Sequence, residues 1–370
     1  MAVSREAATP NPPRFMKPMS WSFALEFTNA KKIVIGQRAV EPDWEPAREA
    51  IQFSALRREL PVPSAREIEV APLWDSAMGG EPYATGVRVT HADFAEEMPI
   101  AFFSPIARRM SAEFVEQKLM EDGEHFTFRI LAFAANGNAP SAGRAAFAVT
   151  EMPTTVPIVE TDLDELRREA TASGGVEPEE LPAFLPASLL DEVDQLTHDA
   201  VENETGGILL GHLCRDRRTR VLALHITGQV PASATRASSA KLTFTAETWS
   251  AASAAIALRG RNERMLGTWH SHPAVAWCAK CPLESQKVCK LQQPFFSEDD
   301  VNLHRTVFPQ AFCVALVITH AHDGMRHGFF GWSHGVVAAR GFSQISGRAI
   351  PAAASSPTEK RKPSHAKSNS

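Results

Sequence analysis

The residues best placed to do chemistry are two histidines one position apart. In the run Gly267-Thr268-Trp269-His270-Ser271-His272-Pro273 the imidazoles stand at i and i+2. Alternation along a strand points both to one side, where they can share an ion. Farther on, Ser297-Glu298-Asp299-Asp300 offers a carboxylate ligand in the first turn of a helix, with Asp300 its third residue. Two nitrogens and one carboxylate leave a fourth position for water, the arrangement of catalytic rather than structural metal sites. Zn2+ suits this mixed set because it is redox-inert and accepts His and Asp in tetrahedral geometry, whereas Mg2+ and Ca2+ prefer oxygen donors alone.

Such a site needs a strand for the histidines and a helix start for the carboxylate, and the pattern of the second half of the chain provides both. Leu189, Leu190, Val193 and Leu196 recur at helical spacing, which predicts an amphipathic helix over 188–201. Strands are expected at Gly207–Leu213, Val221–Ile226, Lys241–Phe244 and Leu266–His270, with Thr245 capping a helix that runs to about Arg259. Ser297 is suited to N-cap a helix with an acidic first turn, and Phe312–Thr319 and Gly328–Trp332 supply closing strands.

With the elements in place, the order Glu204-x-x-Gly207-x-Leu209-x-Gly211, then His270-Ser271-His272-Pro273, then Ser297-x-x-Asp300 resembles the JAMM motif of the JAB/MPN/Mov34 metalloprotease family, over about 186–345. The resemblance implies an α+β or α/β fold for that region, a mixed β-sheet flanked by helices with cytidine-deaminase-like architecture. It implies a deubiquitinase-like zinc isopeptidase in which His270, His272 and Asp300 hold the metal. Glu204 would act on the proton of the attacking water and Ser297 would help the oxyanion, besides capping its helix. The motif's register selects Asp300 over Asp299 and Glu204 over Glu202. A lone HxH would read as two surface histidines; the complete set reverses that. The partners implied are a ubiquitin-like protein or its conjugates, and enzymes of a ubiquitin-like conjugation pathway. A hydrolase releasing a small adduct from a sulfur-carrier protein of ubiquitin-like fold, or a non-catalytic MPN scaffold, are the alternatives.

The sequence departs from the family between the second histidine and the aspartate, where residues 274–296 form an insertion. It contains Cys278-x-x-Cys281 and Cys289, with Lys280, Lys287 and Lys290 among them. Positive charge and metal both favour thiolates, so a second metal site is expected at Cys278, Cys281 and Cys289: a structural zinc or an iron–sulfur cluster, with His304 or a residue of the N-terminal domain as fourth ligand. The same thiolates beside a catalytic metal would also suit a redox-sensitive gate. Cys214 and Cys313 lie in apolar strand patterns and read as core residues.

Ahead of this region, Trp21 to about Ile158 reads as a smaller α+β domain, suited to recruiting a substrate or partner. Its strands are expected near Trp21–Phe27, Arg66–Val70, Tyr83–Val89 and Phe126–Phe133, and a helix over Pro105–Met120. Residues 159–185 turn acidic and carry Gly and Pro, which reads as a linker with one short helical piece near Asp164–Ala170. Residues 1–20 and 346–370, rich in Pro or in Ser, Pro and Lys, read as a disordered arm and tail.

The 370 residues accommodate two ordinary domains, and 44% hydrophobic with 22% charged residues is globular composition. A net charge of −5 gives no basic field to gather phosphates, so nucleic acid is not an expected partner. The longest apolar run is far short of the ~20 residues that span a bilayer, so no membrane partner is expected. The first residues lack a signal-peptide apolar segment, and clustered cysteines fit a reducing compartment, which together point to the cytoplasm.

Overall fold

A computed structural model describes residues 21–92, 94–134, 156–177, 180–232 and 244–346. The chain forms two compact units, one built from Met1–Pro153 with His334–Val336, the other from Thr154–Ser333 with Val337–Ser370. The expected arm 1–20, all of the expected tail but Ser346, and residues 241–243 of the strand expected at Lys241–Phe244 lie outside the described residues.

In the first unit, β1 (Trp21–Thr28), β2 (Val34–Val40), β3 (Glu69–Trp74), β4 (Tyr83–His91), β5 (Phe94–Pro99) and β6 (Thr127–Ala134) form one sheet in the order β2-β1-β6-β4-β3, with β5 also paired to β4. Alternation drives it: Phe23, Leu25 and Phe27 of β1 all face the core. Helix α1 (Glu45–Arg57) buries Ala47, Ile51 and Ala55 at four-residue spacing, and α2 (Ser104–Glu116) buries Ala107 and Phe114 seven apart. The helix expected to reach Met120 stops at Glu116, and Lys118 adopts a positive φ of 59°. The strand expected at Arg66–Val70 begins later, after a single tight turn at Ala65–Glu67.

The second unit is a ten-stranded mixed sheet with helices. Its elements in chain order are β7 (Ile158–Thr161), α3 (Leu163–Arg168), β8 (Ala170–Ser173), β9 (Ala183–Pro186), α4 (Ala187–Ala200), β10 (Gly206–Asp216), β11 (Leu222–Pro231), α5 (Ala246–Arg259) and β12 (Arg264–His272). They continue with α6 (Ala274–Trp277), α7 (Leu283–Val288), α8 (Glu298–Val307), β13 (Val314–Ala321), β14 (Gly324–Ser333), β15 (Val336–Arg340) and β16 (Phe342–Ile345). The strand order is β15-β14-β13-β12-β10-β11-β9-β16-β8, with β7 added beside β10. At its centre β12 runs antiparallel to β10 and parallel to β13. Helix α4 buries Leu189, Leu190, Val193 and Thr197 and ends where Val201 takes a positive φ, three residues before Glu204.

The expected linker 159–185 is instead woven into this sheet as β7, α3, β8 and most of β9. Strands β7 and β8 are only four residues long and partly exposed, so they carry too few apolar side chains to stand out in sequence. Buried Leu163 and Leu166 pack with Phe184, Ala223 and Ile345. The Leu163 amide donates to the Asp216 carboxylate at 3.0 Å, and the Thr219 amide and hydroxyl each donate to it at 2.6 Å. Among the described residues no helix is long and apolar enough to cross a membrane.

The Thr219 hydroxyl, then the Leu163 and Thr219 amides, hold the Asp216 carboxyl well below the usual carboxylate range. Its folded pKa is depressed, so its contribution is present above about pH 4, the ordinary Asp value, and is lost as pH falls below it. Asp216→Ala should therefore destabilise the protein by about 1–3 kcal/mol at neutral pH, measured by denaturant unfolding, with a smaller difference from wild type in strongly acidic buffer.

Candidate metal centre

Strand β12 carries the two histidines side by side. His270 pairs with Gly206 and Val317, and His272 with Thr319, so the segment is held from both sides by β10 and β13. That central position needs Gly267: a Cβ there would come within 1.6 Å of the Val314 carbonyl oxygen, so only glycine lets β13 lie this close. Residues Leu266 to His272 are all buried.

The two Nε2 atoms face each other at 3.2 Å, and His270 Nε2 is 3.5 Å from Asp300 Oδ2. A tetrahedral zinc ion bonded at about 2.0–2.1 Å to each ligand atom requires about 3.3–3.4 Å between them, so both separations from His270 suit ligands of one such ion. Among the described residues they are the group of three or more His, Cys, Asp or Glu side chains whose ligand atoms all lie within 4.8 Å of one another. Asp300 arrives by the capping box of α8: the Ser297 amide donates to Asp300 Oδ2 at 2.8 Å, while the Asp300 amide donates to Ser297 Oγ at 3.2 Å. The carboxylate is thereby oriented before any ion arrives.

Protonation states agree with a ligand role. Burial, reinforced by the neighbouring His270, pushes His272 down to about 3, leaving a neutral imidazole with a free lone pair. Burial acts to raise Asp300, but the hydrogen bond and charge of His270, with Ser297, outweigh it and hold the carboxyl at about 2.

Glu204, His270, His272, Ser297 and Asp300 all line one cleft of ≈ 840 Å³. Glu204 is buried while Glu202 is exposed, which separates the two acidic candidates physically. Its loop is pinned by Ser271, the residue between the histidines: the Thr205 amide donates to Ser271 Oγ at 2.9 Å and the Ser271 amide to the Thr205 carbonyl at 2.7 Å. Asp299 also lines the cleft but is not part of the three-ligand group.

Sequence reasoning missed Ser271 and the aromatic walls. Phe295 and Trp277 lie against the His272 ring at 4.3 and 5.2 Å between centroids, and Phe296 lies 6.1 Å from His270. The adjacent Phe295-Phe296 pair just before Ser297 was the available signal. The expected cysteine site is only partly assembled: Cys278 and Cys289 sulfurs are 3.7 Å apart, while Cys281 is exposed and the three do not form a mutual group within 4.8 Å. His304, expected as a fourth ligand there, does not join the cysteines. It is buried in an aromatic box, 6.0 Å from Phe296 and Phe308 and 5.6 Å from Trp332. Cys214 and Cys313 are buried core residues, and burial pushes the Cys214 thiol up to about 12.

The second unit is thus a mixed sheet whose central strand presents two histidines to a helix-borne aspartate. The model of the family "Prokaryotic homologs of the JAB domain" matches residues 186–276, a span that contains Glu204, His270 and His272 and stops before Ser297 and Asp300. Residues 186–276 of the second unit thus match a JAB domain. Among solved structures, the chain is similar to a protein from Desulfitobacterium hafniense determined in solution, at 18% identity over 45% of this chain and 94% of that one, with a TM-score of 0.30. No curated protein matches the chain.

Asp300→Asn should keep the fold, because an asparagine side-chain oxygen can still accept from the Ser297 amide, yet lose the anionic ligand. Equilibrium dialysis should show zinc affinity at this centre falling at least 10-fold, with the unfolding midpoint of the metal-free protein close to wild type.

Proposed function

We propose that the chain is a zinc-dependent isopeptidase that removes or processes a ubiquitin-like protein in the cytoplasm. The observation that carries this reading is the convergence of His270, His272 and Asp300 within 4.8 Å inside a cleft that Glu204 also lines. A scaffold would have no need of a three-ligand set, two of its members buried, opening on such a cleft.

When bound, zinc supplies Lewis acidity, which makes a water molecule acidic enough to react near neutral pH and polarises a carbonyl. His270, the neutral His272 and the ionised Asp300 would supply its ligands. Glu204 accepts the proton of the attacking water and returns it to the departing amine, the two halves of general acid–base catalysis. Ser297 Oγ accepts from the Asp300 amide, which leaves its hydroxyl hydrogen available to donate to the charge developing on the substrate oxygen. Trp277, Phe295 and Phe296 wall the cleft and exclude water around the reacting bond. The extended tail of a ubiquitin-like substrate fits such a cleft by adding as a strand, and the first unit recruits the conjugate or an enzyme of the conjugation pathway.

Glu204→Gln should lower cleavage of a ubiquitin-like fusion by about 10²–10⁴-fold with zinc content unchanged. Ser297→Ala should lower it by about 10²-fold or more and destabilise α8 by about 1 kcal/mol through the lost cap. Both are checked by initial rates, zinc analysis and thermal unfolding on the same preparations. Equal cleavage by wild type and Glu204→Gln would overturn the reading.

A further inference from the structure

We propose that Cys278, Cys281 and Cys289 bind a second zinc ion, separate from the cleft, that holds the insertion in shape. Cys278 and Cys289 sulfurs stand 3.7 Å apart. Two thiolates bonded at about 2.3 Å to one tetrahedral zinc are about 3.8 Å apart, whereas a disulfide would bring them to about 2.05 Å. The pair therefore has the spacing of two ligands of one ion.

The loop around them is built to keep that spacing. The Cys281 amide donates to the Cys278 carbonyl at 2.9 Å, closing a turn that brings the third cysteine back toward the first. Gln286, itself 5% exposed, fixes the turn by donating Nε2 to the carbonyls of both Cys278 and Cys281, at 2.9 and 2.7 Å, while its Oε1 is buried without a hydrogen-bond partner. The Cys289 amide donates to the Gln286 carbonyl at 3.2 Å, so one buried side chain and its backbone organise all three cysteines. Cys281 is exposed, and rotation of an exposed side chain takes only picoseconds to nanoseconds, so its sulfur can join the pair.

The insertion has need of such a staple. Helices α6 and α7 are four and six residues long, far below the length at which a helix is stable alone. Helix α6 nonetheless ends on Trp277, next to Cys278, and the Trp277 ring lies tilted against that of His272. An ion bound to three thiolates ties this wall of the cleft to its own backbone.

The test is zinc analysis of the full chain, purified without chelator and dialysed against low zinc, for wild type, Cys281→Ser, Cys278→Ser, His272→Ala and the combination of Cys281→Ser with His272→Ala. The expected result is two zinc ions in wild type, one in each single variant and none in the combination. The three thiols should also resist alkylation by iodoacetamide until a chelator is added. Cys281→Ser is the decisive variant because its site is exposed and tolerates the change. Wild-type zinc content in Cys281→Ser, iron with inorganic sulfide, or a Cys278–Cys289 disulfide by mass spectrometry would overturn the proposal. Loss of zinc from His272→Ala alone reports on the cleft centre and leaves the two assignments distinguishable.

Discussion

Two buried imidazole nitrogens facing each other at 3.2 Å form the constraint around which the second unit is arranged. Neutral rings in that pose oppose lone pair to lone pair unless a cation or proton lies between them. Asp300, 3.5 Å from the same nitrogen, adds the negative charge that makes a cation the favoured occupant. Holding the rings this close takes a strand fixed on both edges, and β12 is paired along its length with β10 and β13. Gly267 allows the close approach on one side, and on the other the Ser271–Thr205 hydrogen bonds bring in the loop that bears Glu204.

The capping box of α8 joins folding to chemistry in one pair of residues. Ser297 and Asp300 satisfy orphan amides of the helix start, which stabilises the helix regardless of any ligand. The same two hydrogen bonds aim the carboxylate at the histidines. A pair of residues serving both ends explains how the three candidate ligands come together without any ion to gather them.

The parts of the site legible in the sequence were those set by short-range rules. His270-x-His272 is strand alternation, Ser297-x-x-Asp300 is a helix start, and Glu204 falls just past a helix whose apolar stripe was plain at Leu189, Leu190 and Val193. Ser271 escaped notice because its role depends on which loop crosses β12, and Trp277 and Phe295 because their contacts depend on how the insertion folds back on His272. His304 looked like a metal ligand by type and proximity in sequence, yet the helix turns it among Phe296, Phe308 and Trp332. The misread linker failed for a different reason. Four-residue strands such as Ile158–Thr161 and Ala170–Ser173 owe their order to pairing partners far along the chain, β10 and β16, so their own composition carries almost no signal.

The central claim is that one ion sits among His270, His272 and Asp300 with Glu204 beside it. Anomalous diffraction at the zinc absorption edge, on crystals of the full chain grown with zinc, tests it most directly. The account predicts a peak within bonding distance of the two Nε2 atoms and an Asp300 oxygen, with the Glu204 carboxylate facing the remaining position. Full-strength anomalous density elsewhere with none between the histidines, or Glu204 turned out of the cleft, would contradict it.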